Sequence, residues 1–180
     1  NSQEGRIIEI RKVYKEINDN ENQYMKVTRE LEGFSLEGGK LLGLASNGEF
    51  KKIVASYFGE SGQRVDEFYL DQGKLVFVFS IESFTNQPMG KIVRTEENRY
   101  YFTNGSLIKF IGPDKKERDV DLAENIQAGK TFLDDLNRFL AGLKSNEKVI
   151  SAPDEPSEAQ VEKAMVNHES EVVEFLQKWL

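Results

Sequence analysis

The chain has 180 residues, of which 31% are charged and 38% hydrophobic, and its formal net charge is -7. This composition predicts one soluble globular domain rather than a disordered or membrane-embedded chain. No run approaches the roughly 20 apolar residues that a membrane-spanning helix needs, and an acidic chain without a basic stripe is repelled by the phosphates of nucleic acids. The absence of cysteine excludes disulfides, thiol catalysis and thiolate metal sites.

An amphipathic helix is predicted at the start of the chain, over residues 1–20. Apolar residues recur there at intervals of three and four, with charged residues between them: Ile7, Ile10, Val13, Tyr14 and Ile17. The polar cluster at 18–22 predicts the end of the helix, because short polar side chains compete for its backbone hydrogen bonds.

Residues 23–121 are predicted to form an antiparallel meander of about seven or eight strands. Five dipeptides ending in glycine separate its aromatic-rich runs: Gly38-Gly39, Asn47-Gly48, Ser61-Gly62, Gln72-Gly73 and Asn104-Gly105. Tight hairpin turns need positive φ, which Gly and Asn adopt with little strain. Residues 75–79 are apolar at every position and predict a central strand, whereas residues 83–91 predict a longer loop.

Two further helices are predicted after the meander. Residues 122–145 carry an apolar stripe, expected to face the core, that includes Ile126, Leu133 and Leu136. Residues 146–156 contain two prolines and predict a linker. The last helix, 157–180, has its apolar positions at Val161, Met165, Val172, Phe175, Leu176 and Trp179. Eight acids stand against three bases in residues 146–180, so this end carries a local net charge of -5.

These elements predict a single α+β domain over residues 1–180, with helices covering the apolar face of the sheet. A loose unit of apolar pair, glycine turn and second apolar pair recurs from Phe34, Phe68 and Tyr100. The units resemble those of uncharacterised secreted bacterial α+β proteins and, more distantly, the hairpins of MORN-type repeats, over roughly Phe34 to Ile111. The resemblance implies no catalytic residues and favours a periplasmic or extracellular setting. A start at Asn1 without an initiating methionine is expected for a secreted protein after removal of its signal peptide, or for a trimmed chain.

Tyr69 and Tyr101 are the candidate ligand-binding residues. Successive side chains of a strand point to opposite faces, so both tyrosines are expected on one face, pointing away from the helices. Tyrosines beside basic residues offer rigid contact area to sugars or peptides. Ordinary packing between strands is the alternative for both residues.

No cofactor and no metal site is predicted. The only histidine, His168, lies beside the apolar stripe of the last predicted helix, which favours a structural role. Four clustered acids do not follow the spacing of a calcium-binding EF-hand and predict a solvated loop: Asp114, Glu117, Asp119 and Asp121. Two carboxylates suffice in principle for glycoside hydrolysis, but among thirty-one acids the sequence singles out no pair. Asp134 and Asp135 are expected on the polar side of their helix.

The sequence favours a non-catalytic secreted module that binds a protein or glycan through the uncovered face of its sheet. One alternative is a carboxylate-dependent hydrolase acting on glycans. Another is an inhibitor or immunity-type protein, for which small size and acidity suit a basic partner.

Overall fold

The computed structural model describes residues 2–86, 89–145 and 149–151, which form one nine-stranded sheet and two α-helices. The helices are α1 (Gln3–Asp19) and α2 (Ala123–Lys144). The strands are β1 (Met25–Glu32), β2 (Gly39–Ser46), β3 (Glu49–Gly59), β4 (Gly62–Asp71), β5 (Lys74–Asn86), β6 (Lys91–Thr103), β7 (Ser106–Ile111), β8 (Glu117–Arg118) and β9 (Val149–Ile150). Of the two helices in this described part, neither is long and apolar enough to cross a membrane.

The strands form a meander in the order β8-β7-β6-β5-β4-β3-β2-β1-β9. All pairs are antiparallel except β1 and β9, which are parallel because α2 carries the chain back across the sheet. The predicted α+β class with an antiparallel sheet and an N-terminal helix is confirmed. The sheet has nine strands rather than seven or eight. β8 and β9 contain only two residues each, which is too short for a strand pattern to be recognised in the sequence. The predicted helix at 157–180 lies outside the described residues.

Tight turns form at the glycine dipeptides. Backbone φ is positive at both residues of Asn47-Gly48, Gln72-Gly73 and Asn104-Gly105, with values between 49° and 78°, as a two-residue turn of the primed type requires. At Gly62, the requirement for glycine comes from a close approach of the neighbouring strand. A Cβ there would lie 1.9 Å from the carbonyl oxygen of Ser83, so β4 and β5 pair at this point because residue 62 has no side chain.

α1 is capped by side chains at both ends. The Ser2 Oγ accepts a hydrogen bond from the Gly5 N–H at 3.2 Å. At the other end, the side-chain amides of Asn18 and Asn20 donate to carbonyl oxygens one turn earlier, at 3.0 and 2.8 Å. These bonds satisfy backbone groups that the end of a helix leaves unpaired, and they show how the polar cluster at 18–22 ends the helix.

The two helices cover opposite faces of the sheet, whereas the sequence predicted helices on one face. α1 crosses from β7, where Gln3 donates to the carbonyl oxygen of Ile108, to β3, where Asn18 meets Lys52. α2 crosses the other face, from Leu107 of β7 to Gly43 of β2. A strand that is apolar on both sides explains the difference: residues 75–78 of β5 are all buried, and each side needs its own cover.

The two cores therefore lie back to back. The core under α1 is formed by Ile7, Ile10, Ile17, Tyr69, Val76, Phe77 and Tyr101. The core under α2 includes Leu41, Ile53, Phe68, Val78, Phe102, Phe132, Leu136 and Phe139.

β5 and β6 extend beyond both helices. The predicted loop at 83–91 is strand as far as Asn86, and strand resumes at Lys91. Phe84 pairs with Arg94 across the two strands, and the guanidinium carbon lies 4.1 Å from the centre of the Phe84 ring. Cross-strand stacking of this kind stabilises a hairpin whose residues carry no strong strand pattern.

Candidate functional site

Tyr69 of β4 and Tyr101 of β6 lie on the same face of the sheet. Each pairs with Phe77 of β5, and their ring centroids are 5.7 and 4.9 Å from that of Phe77. The predicted shared face is therefore present.

That face is covered by α1 at the two tyrosines. The ring of Tyr14 lies 4.8 Å from Tyr69 and 5.4 Å from Phe77. Tyr69 is 0% exposed and Tyr101 is 4% exposed, so the expectation that both lie on open surface is wrong. Strand alternation assigns a side chain to a face, but only the packing of α1 decides which face is covered.

A buried polar network holds the C-terminal end of α1 on the sheet. Lys52 is 4% exposed, and its Nζ donates to Asn18 and Glu21 at 3.0 Å each and lies 3.5 Å from a Glu67 carboxylate oxygen. The Tyr69 hydroxyl donates to the same Glu67 carboxylate. Burial, together with this bond, raises the pKa of Tyr69, so the phenol stays a neutral donor.

A pocket of about 300 Å³ lies between α1 and the sheet, and we call it the α1 pocket. Its lining consists of Ile10, Arg11, Tyr14, Phe77, Phe79, Arg99 and Tyr101. Four of these seven residues are aromatic and two are arginines. Ligand sites in proteins are commonly of this kind, concave and largely apolar with a few polar groups that orient the ligand.

The two arginines of the α1 pocket differ in their partners. Arg99 lies over the Phe79 ring at 4.9 Å and pairs with Glu97 at 2.7 Å. Its side chain remains 31% exposed. Arg11, on α1, is exposed, and among the described residues no ion pair with it is found. The pocket therefore offers an anion two guanidinium groups: that of Arg99, which is oriented by stacking, and that of Arg11, for which the described residues provide no carboxylate partner.

Beside α1, the sheet carries a group of apolar side chains that we call the apolar strip, with Glu67 and Ser56 interspersed among them. Its members are Leu42, Val54, Val65, Phe79 and Ile81, of which Phe79 also lines the α1 pocket. Strand register places them on the face of Tyr69, and all five are half-buried. α1 is the only α-helix that the described residues place on this face. Within the described part of the chain, the portion of this face that α1 leaves open lies beside Tyr69 and Tyr101 rather than at them.

A cluster of charged groups lies on the opposite face, beside α2. Arg64 makes two hydrogen bonds to Asp66, at 3.0 and 2.6 Å, and Asp66 is 1% exposed. Asp135 of α2 was expected on a polar surface but is half-buried here. Burial, with the charge of Asp66, raises the pKa of Asp135 to about 6 against the opposing effect of Arg64. Burial, with the charge of Asp66, also raises the pKa of Tyr57.

The acids between 114 and 121 organise turns. Asp114 accepts hydrogen bonds from the Lys116 N–H at 3.1 Å and from Arg118 at 2.8 Å. These bonds lower the pKa of Asp114, and the bond from the Lys116 backbone has the larger effect. Asp119 accepts from the Asp121 N–H at 2.9 Å. Within the described ranges, no group of three or more acidic, histidine or cysteine side chains is arranged to hold a metal ion.

Of the seven residues that line the α1 pocket, the sequence predicts only Tyr101 as a ligand-binding residue. The apolar periodicity of α1 predicts that Tyr14 packs on the core, which it does, and Arg11 is one of the charged residues between the apolar positions. The informative signal was the alternation Phe77, Phe79 on β5 opposite Tyr101, Arg99 on β6, which places three rings and a guanidinium on one face. His168 lies outside the described residues.

Comparisons of this chain with protein-family models, with curated proteins and with solved structures found no match. The resemblance to MORN-type hairpins therefore stays a prediction.

Proposed function

We propose that this protein is a non-catalytic binding module whose ligand occupies the α1 pocket. The observation that carries the proposal is the composition of that pocket, in which four aromatic rings and two arginines line about 300 Å³. The ligand class that suits it is an organic anion with a compact aromatic or branched apolar body. Burial of that body against the rings supplies affinity, and a charge-assisted bond to a guanidinium supplies orientation.

The proposed site lies on the sheet face that the sequence indicated, but at a different position on that face. The sequence pointed to a sheet face with tyrosines beside basic residues. Tyr101 and Arg99 both line the pocket. Tyr69 is wholly buried and does not line it, but its ring packs against Phe77, which does. The periplasmic or extracellular setting remains part of the proposal, and a chain without cysteine suits it.

Ligand-observed NMR with aryl carboxylates and their neutral amides tests the proposal. The carboxylates should bind about tenfold more tightly than the amides, because a hydrogen bond to a charged group contributes roughly 1.5–3 kcal/mol. Arg99→Gln should abolish the preference for carboxylates.

Arg94→Gln is the matched control. Arg94 also stacks on a phenylalanine of β5 and pairs with a glutamate two residues away, but it lies outside the pocket. The proposal fails if carboxylates and amides bind equally, or if the two variants behave alike.

The charged cluster on the other face favours a second candidate, a carboxylate-dependent hydrolase. Its supporting observation is that Asp66 is ion-paired with Arg64 while the pKa of Asp135 is raised to about 6. Acid–base hydrolysis of a glycoside requires a carboxyl group that can donate a proton, and a raised pKa suits Asp135 to that role. A panel of chromogenic glycosides tests it: turnover should be lost in Asp135→Asn and retained in Glu82→Gln, a neighbouring exposed acid on the same face.

A further inference from the structure

A long open edge of the sheet lies on β6. β7 pairs with β6 only at residues 99–103, whereas β5 pairs with it down to Lys91. Over residues 91–98, the side of β6 that faces away from β5 therefore has no strand beside it among the described residues. We call this stretch the β6 edge. A strand paired on one side only presents a row of backbone N–H and C=O groups to which another strand can bind.

The other edges of the sheet are partly occupied. β9 pairs with the end of β1, and the guanidinium group of Arg29 on β1 donates to the carbonyl oxygens of Gly142 and Ser145 at 3.2 and 2.9 Å. β8 pairs with the end of β7, and the carbonyl oxygen of Ile108 on β7 accepts a hydrogen bond from the Gln3 side chain. Within the part of the chain that the structure describes, β6 therefore has the longest uncovered stretch of strand.

Two apolar side chains are exposed on the β6 edge. Ile92 and Val93 are each 61% exposed. Both are β-branched, and side chains of this type pack well against those of a neighbouring strand. A second strand beside the β6 edge would remove part of their apolar surface from water, which is favourable.

The charges of the β6 edge indicate which strand it can bind. Lys91 and Arg94 lie in its first half, and Glu96 and Glu97 lie in its second half. Two antiparallel copies place the basic half of each against the acidic half of the other, whereas two parallel copies place like charges together. Charged side chains protect an edge against strands in general, but opposite charges across two strands stabilise their pairing. The β6 edge is thus complementary to itself.

We propose that the β6 edge pairs with the β6 edge of a second copy of this chain, antiparallel and about a two-fold axis. The same surface then serves both copies, and their sheets join into one. The interface is small, so the dimer forms only in concentrated protein. It weakens at high salt, because salt screens exposed charges. No residue of the β6 edge lines the α1 pocket, so this pairing does not depend on the proposed function.

Sedimentation velocity at increasing protein concentration tests for the dimer, and charge variants test its geometry. Lys91→Glu combined with Arg94→Glu makes every charge of the β6 edge negative, whereas Glu96→Lys makes its net charge positive. For each variant alone, the dissociation constant of the dimer should rise at least about tenfold, because like charges then face each other. An equimolar mixture of the two variants should associate again, since the negative edge of one meets the positive edge of the other.

Lys26→Glu is the matched control, because Lys26 is an exposed lysine on β1 at the far end of the sheet. It should leave the dissociation constant unchanged. Circular dichroism verifies the fold of every variant.

A spin label locates the contact independently of charge. The chain has no cysteine, so Thr95→Cys carries a single label. In the dimer, two such labels lie close to the two-fold axis on strands about 5 Å apart, and their spectrum should show dipolar broadening. A label at Lys26→Cys should show none.

A chain that stays monomeric at every concentration overturns the proposal. So does a dimer that persists in both edge variants, or a mixture of folded variants that does not associate. Loss of the dimer in Lys26→Glu, or broadening at position 26 in place of position 95, would assign the contact to β1 and equally overturn it.

Discussion

Single residues explain how α1 is fixed on the sheet. Lys52 is almost fully buried and joins the end of α1 to β3 and β4 through Asn18, Glu21 and Glu67. A buried cation is tolerated only where several acceptors replace its water. Its neighbour Lys51 pairs with Glu49 on an exposed surface. The two adjacent lysines thus differ in burial, because successive side chains of a strand point to opposite faces.

Replacement of Lys52 by methionine should lower the free energy of unfolding by about 3 kcal/mol, because Glu21 and Glu67 lose their shared cation. Lys51→Met, the control, should change it by less than about 1 kcal/mol, as exposed ion pairs contribute little. Urea titration followed by circular dichroism measures both. Equal effects of the two variants would contradict the role assigned to the network.

Asp135 predicts a pH dependence of stability. Its pKa in the folded protein is about 6, whereas an aspartate in the unfolded chain has a pKa of 3.8. Between pH 3.8 and 6, the folded state therefore holds a proton that the unfolded state has released. Stability contributed by this site is therefore greatest below about pH 4 and falls as the pH rises to 6.

Asp135→Asn should remove that loss and stabilise the protein at pH 7.5 by about 1 kcal/mol, a figure reduced for the solvent screening of a half-buried group. The gain should vanish at pH 4. Asp134→Asn, on the exposed side of the same helix, should change little at either pH. Thermal unfolding at the two pH values measures the difference, and a gain that is equal at both would refute the assignment.

At the scale of elements, α2 illustrates both the strength and the limit of a sequence pattern. A helix over 122–145 was predicted, and α2 occupies Ala123–Lys144. Its buried side, however, includes Asn125, Gly129 and Phe132, while Ile126 is 43% exposed. Asn125 is buried because its side-chain amide donates to the Asp119 carbonyl oxygen at 2.6 Å. Hydrophobicity finds the helix, but close packing and hydrogen bonds decide its rotation.

Gly142 sets how closely α2 approaches β9. A Cβ at this position would lie 2.1 Å from a methyl group of Val149. Gly142→Ala should therefore destabilise the protein by roughly 1–3 kcal/mol through overpacking, although alanine is the better helix former. Gly5→Ala is the control, since its Cβ would make ordinary contact with Ser2, and it should be neutral or stabilising by up to about 1 kcal/mol. Chemical denaturation compares the two; a stabilised Gly142→Ala protein would show that the contact yields.

For the whole molecule, the helices divide the sheet into a part covered on both faces and a part that extends beyond them. Residues 68–70 and 75–78 lie between the two cores, whereas residues 84–86 and 91–94 lie beyond both. Strands with few buried contacts open at lower free energy than strands inside a core.

Hydrogen exchange followed by mass spectrometry should show this division. Amides of 68–70 and 75–78 should exchange most slowly and those of 84–86 and 91–94 fastest among the described strand residues, although all belong to one continuous sheet. Uniform protection along β5 would contradict the division.

The sequence by itself determined the secondary structure of most of this chain and its fold class. Turns with positive φ are encoded by Gly and Asn, and amphipathic periodicity encodes α1 and α2, because these signals are local. Only the tertiary structure decided that the helices lie on opposite faces, that Tyr69 and Tyr101 are buried, and that Arg11 and Tyr14 join Phe77, Phe79 and Arg99 around one pocket. Those outcomes depend on contacts between residues far apart in the chain, such as Gln3 with Ile108 and Asn18 with Lys52, and periodicity along one segment contains no information about them.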